Sequence, residues 1–184
     1  MKTFFLGLAI LLTLSSCVSN RIYFTVDTQK QLTGEKIDLK QIQFFNSEEI
    51  VLVRQASEAE VNVEDGKLKM KNGKMVEEII IPAGTPGICE VYDERSLRVS
   101  FDDGEGNALP FIVERKGGVV VDRSGFKLGG KDWKKTRNGG KVGKVDYEKE
   151  VFTIVRGADS RLLIDKTTLT KVDRTTKVAK GRKL

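Results

Sequence analysis

Short apolar–polar alternations follow one another along this chain, each cut off by glycine, proline, aspartate or asparagine, and this rhythm leaves room for little except β-strands. Strand-like runs fall at residues 21–26, 39–45, 49–54, 60–64, 67–71, 74–81, 88–92, 97–101, 110–114, 118–122, 142–147, 150–156 and 161–165. Asp65-Gly66 and Asn72-Gly73 sit between alternating segments, and such pairs supply the positive φ angles that tight hairpins need. The polar stretch Asp102-Asp103-Gly104-Glu105-Gly106-Asn107 joins two further runs in the same manner. The pattern predicts an all-β domain, a single sandwich or partly closed barrel of short antiparallel strands, with a minor helix near residues 28–39. Ile79, Ile81, Val91, Val99, Phe101, Ile112, Phe152, Ile154 and Leu163 are expected in its core, as is the apolar-flanked Cys89.

The first residues obey a different logic. Lys2 precedes an apolar run from Phe4 to Leu14, which is too short for a membrane span of about 20 residues but suits the hydrophobic stretch of a signal peptide. Leu14-Ser15-Ser16-Cys17 closes the run and resembles the lipobox of bacterial lipoproteins. That resemblance covers about the first 20 residues. It implies diacylglyceryl attachment to the Cys17 thiol, cleavage between Ser16 and Cys17, and anchoring by acyl chains such as palmitate. Two or more chains hold a protein stably at a membrane where one does not. Val18 stands where inner-membrane lipoproteins tend to carry aspartate, so the resemblance implies an outer-membrane anchor facing the periplasm. The organisation expected is a signal peptide over 1–16, a lipid-anchored tether over 17–21, a β-rich domain over 22–166 and a basic, flexible tail over 167–184.

Composition restricts the chemistry. With 2 cysteines, one of them Cys17, the mature chain has no partner for an intramolecular disulfide with Cys89. The chain has no histidine, which removes the usual Ser-His-Asp and Cys-His nucleophilic systems and the commonest zinc sites. Gly125-Phe126-Lys127-Leu128-Gly129-Gly130-Lys131-Asp132 nearly spells a phosphate-binding loop. It lacks the hydroxyl residue after the lysine and the apolar helix that should follow, so no nucleotide is expected. The acidic loop 102–107 does not match an EF-hand spacing, and no metal or other cofactor is assigned.

Charge is unevenly spread over a chain of net +6. Residues 47–105 hold 14 acidic and 7 basic side chains, whereas 115–149 hold 11 basic and 4 acidic. Within the basic half, residues 123–144 read as a long glycine-rich loop around Trp133, the only tryptophan. An aromatic flanked by Lys134, Lys135 and Arg137 is the candidate partner contact. The functional expectation is a non-enzymatic lipoprotein of the envelope whose β domain binds or scaffolds another envelope protein or an anionic envelope polymer. Nucleic acid is not an expected partner, for want of interleaved aromatic and basic residues. The alternative is a carboxylate-dependent enzyme acting on envelope polysaccharide.

Overall fold

The computed structural model describes residues 20–55, 68–71, 74–115 and 117–173, and within them the fold is two antiparallel sheets around one core. Lipidation at Cys17, the strand expected at 60–64, the Asp65-Gly66 turn and the tail beyond 173 lie outside the described residues. The chain opens on β1 (Arg21–Tyr23), α1 (Val26–Gly34), a 3₁₀ turn at Leu39–Gln41, β2 (Gln43–Asn46) and β3 (Ile50–Gln55). Then come β4 (Leu68–Lys71), β5 (Lys74–Ile81), β6 (Pro86–Tyr92), β7 (Ser96–Ser100) and β8 (Ala108–Val113). It finishes with β9 (Phe126–Leu128), β10 (Lys131–Lys135), β11 (Lys141–Tyr147), β12 (Glu150–Arg156), β13 (Leu162–Asp165) and α2 (Lys166–Asp173). One sheet runs β1-β13-β2-β6-β7-β8-β9 and the other β10-β11-β12-β3-β5-β4.

Alternating side chains of both sheets meet in the interior: Phe44, Val99, Phe111 and Ile164 from the first, Leu52, Val145, Phe152 and Ile154 from the second. Aromatic edges pack there, Phe24 on Phe44 at 5.1 Å and Tyr147 on Phe152 at 6.0 Å between centroids. The first sheet curls until its ends touch. Phe126 N–H donates to the Phe24 carbonyl, Val26 N–H to Ser124 and Leu128 N–H to Ser160, and single bridges pair Thr25 with Gly125 and Lys127 with Arg161. These are stitches across a seam rather than a continuous ladder, so the sandwich does not become a closed barrel.

α1 forms because Thr25 caps it, its hydroxyl accepting from Thr28 N–H at 3.3 Å, while Val26, Gln29 and Leu32 recur at helical spacing on the buried side. It clamps the segment ahead of β9: Asp27 N–H donates to the Asp122 carbonyl at 2.8 Å and Lys30 pairs with Asp122 at 2.7 Å.

Several expectations need correction. Val91 is 58% exposed because β6 carries a bulge between Cys89 and Val91. One extra residue there leaves Cys89 inward and turns both Glu90 and Val91 outward. Ile112 is 47% exposed, since Phe111 and Val113 take the inward positions of β8. Residues 118–122 form no strand. Gly117 and Gly118 both adopt positive φ, and the chain turns under α1 with no more than a single bridge at Val119. The span 39–45 starts as the 3₁₀ turn, and only Gln43 onwards joins a sheet. Arg21 belongs to β1 rather than to a tether, and residues 167–173, placed at the start of a flexible tail, belong with Lys166 to α2, whose Leu169 packs against the core.

Candidate functional site

A cleft of about 1040 Å³ opens where the β6–β7 turn, the end of β8, β9, the β10–β11 hairpin and the turn before β13 converge. Its apolar lining is Ile112, Val113, Val120, Leu128, Trp133 and Ala158, and its charged lining is carried by Asp93, Glu94, Arg95, Glu114, Arg115, Lys127 and Lys141.

Trp133 lies here through local backbone chemistry. The span 123–144 is not the long loop anticipated: it contains β9 and a hairpin, β10 paired to β11. The β10–β11 register shifts between Lys131 and Lys134, and within that irregularity Asp132 takes φ 53°. A non-glycine residue in the left-handed region costs of order 1–3 kcal/mol, and bulges of this kind re-aim a side chain. What they aim is an indole. A Cβ on Gly143 would lie 2.6–2.8 Å from three atoms of the Trp133 ring, and one on Gly130 would lie 2.8 Å from a fourth. The near-equal distances over Gly143 mean that the ring lies face-on against bare backbone, a seat that any larger residue would fill. Trp133 remains 38% exposed and faces the cleft.

The hairpin separates the other anticipated contact residues. Lys135 stands opposite Lys141 and shares its face, on the cleft side, whereas Lys134 stands opposite Val142 on the reverse face. Arg137 occupies the hairpin turn, closed by Thr136 N–H to the Gly140 carbonyl at 2.8 Å. All three are exposed, and none lines the cleft. The structure therefore brings Trp133 to the site with Lys127 and Lys141, not with its sequence neighbours.

The cleft's carboxylates are largely engaged. Asp159 binds both Lys127 and Lys141 through one oxygen, Oδ1, the Lys141 Nζ lying at 3.4 Å. Chiefly through the Lys127 hydrogen bond, its carboxyl is held below the usual range. Glu114 grips Arg161 with two parallel hydrogen bonds of 2.8 and 2.9 Å, which raise the Arg161 pKa further. Asp93 accepts from the Ser96 hydroxyl and from the Arg95 and Ser96 N–H groups. The Ser96 hydroxyl does most to lower its pKa. Gln29 of α1 donates to the Asp93 carbonyl at 2.8 Å, which fixes that turn at the cleft mouth. Two lysines sharing one carboxylate leave a positive charge in excess beside the tryptophan.

No spacing in the sequence could have linked Lys127, Lys141 and Asp159, which lie on three separate elements. Only the basic bias of residues 123–144 hinted at the first two. Among the described residues there is no group of three or more metal-ligating side chains, and no helix is long and apolar enough to cross a membrane. No protein-family model, curated protein or solved structure matches this chain.

Proposed function

We propose that this protein is a membrane-anchored lipoprotein of the bacterial envelope, held by lipid on Cys17 at the outer membrane and facing the periplasm. Its β domain binds or scaffolds other envelope components through the Trp133 cleft. The observation that carries the binding role is the seating of Trp133, partly exposed over Gly130 and Gly143 by a strained bulge and lining a large cleft of mixed charge. A fold that holds a large indole at the surface and keeps Asp132 in the left-handed region is paying for presentation, not for its core. A carboxylate-dependent enzyme would need a carboxyl group held protonated. Asp93 in the lining, and Asp159 behind the lining lysines Lys127 and Lys141, are shifted toward the charged form instead, which supports binding.

The test is affinity recovery from envelopes with the anchor intact. Trp133→Ala should lose the co-purifying component while the protein stays in the membrane fraction, and Cys17→Ser should release the protein from membranes with its fold unchanged. Unchanged recovery with Trp133→Ala would remove the cleft from the binding role, and an unmodified Cys17 in the mass spectrum would remove the anchor.

A further inference from the structure

We propose that the cleft takes a carboxylated sugar chain, with one ring stacked on Trp133 and its carboxylate held by the ammonium group of Lys141. This rests on the reading that the cleft is the partner-facing site, and it names the partner's chemistry.

Three features point to a sugar. The indole is presented as a plate rather than a plug, since its ring lies face-on over Gly143 and the ring remains 38% exposed. A plate matches the flat C–H-bearing face of a pyranose, whose hydroxyls then reach the polar groups around it. Such groups line the same cleft: Asp93 and Ser96 in the β6–β7 turn, Arg95 beside them, and Glu114 and Arg115 at the end of β8. A peptide is served worse, because extended peptides bind sheets by adding a ladder to a free edge. Neither edge beside the cleft provides one. β9 spends its outer groups on Phe24 and Ser160 across the seam, and β10 is bulged and lysine-rich.

The carboxylate follows from the charge balance. Lys127 and Lys141 approach a single oxygen of Asp159, so one ammonium is uncompensated by that pair. Lys127, whose side chain is only 21% exposed, is the inner partner. Lys141, at 3.4 Å and 44% exposed, is free to swing to an incoming anion while Lys127 keeps Asp159. An anion placed there would sit next to Trp133, since both lysines and the indole line the same cleft.

Because Trp133 is the only tryptophan, its emission reports on this site alone. The full chain in detergent would be titrated with a β-1,4-linked tetrasaccharide alternating N-acetylglucosamine and N-acetylmuramic acid, and with chitotetraose, which has the same ring count and no carboxylate. The carboxylated sugar should give a saturable emission change and bind about tenfold tighter than chitotetraose, as a charge-assisted contact requires. Lys141→Ala should erase that preference and leave chitotetraose binding as it was, and Lys141→Arg should restore it. Trp133→Ala, followed by calorimetry, should weaken both sugars.

Equal affinity for the two sugars would overturn the carboxylate contact. No response to either, while Trp133→Ala still abolishes envelope recovery, would overturn the sugar and leave the cleft as a site for a protein. Lys141-dependent binding of a glutamate-rich peptide in place of the sugar would overturn it equally.

Discussion

Replacing Gly143 by alanine is the most direct probe of how Trp133 is seated. A Cβ there would lie 2.6 Å from the ring, and the strand backbone itself tolerates alanine, so the indole must lift. Its emission should shift to the red, with a stability loss of about 1–3 kcal/mol measured by denaturant unfolding. Cys89 provides a separate test of burial. Desolvation pushes its thiol up to about 11, so at pH 8 it should resist a thiol reagent in the folded protein and react at once after unfolding. The same shift couples to pH: the unfolded chain's thiol ionises near its ordinary value of 9.0, so the stability contributed by the neutral thiol is intact below that pH and lost between there and about 11. Asp159 works in the opposite direction. Its lowered pKa contributes stability above the ordinary carboxylate range, which fades as pH falls through that range and past the folded value. Core side chains divide sharply from surface ones: Phe152→Ala should cost about 3–5 kcal/mol, whereas Val91→Ala should stay within about 0.5 kcal/mol. An apolar alternation in the sequence fits both residues. Only the β6 bulge tells them apart, and a bulge of one residue leaves no mark in composition.

Elements show the same boundary between what is legible and what is not. The paired strands β7, β11 and β12 coincide with alternation, and β5 with an apolar run that stops at Pro82, and there the sequence suffices. The apolar triplet Val119-Val120-Val121 lacks alternation. Its backbone is captured locally, Val121 N–H by the Ser124 hydroxyl and the Asp122 carbonyl by α1, so β-propensity yields to a turn. β10 is hidden for the reverse reason. Lys131-Asp132-Trp133-Lys134-Lys135 is exposed throughout and paired along one side only, so no buried face imposes a period on it. The turn between β11 and β12 is located only by the alternation on either side of it, for Glu148 and Lys149 adopt φ 50° and 65° with no glycine or asparagine to signal it. Lys149→Gly should relieve left-handed strain and raise stability by about 0.5–1 kcal/mol in thermal unfolding, since the exposed pair with Glu105 at 3.1 Å contributes little.

For the whole molecule, the decisive connection joins the two ends of the described chain. β1 pairs with β13, Arg21 opposite Asp165, and Lys166 N–H donates to the Asn20 carbonyl at 2.8 Å. A chain truncated after Ser160 would lose the strand between β1 and β2 and should fail to give a cooperative unfolding transition, although every other strand is present. That arrangement also sets an order in time. A polypeptide emerging amino end first exposes β1 and Phe24 long before their partners exist, and β1 has no strand to join until residues 162–165 have followed, although β2 and β6–β9 can already pair. The newborn chain must therefore wait, unfinished and with an aromatic of its future interior bare, and a chaperone's hold is needed most during that delay.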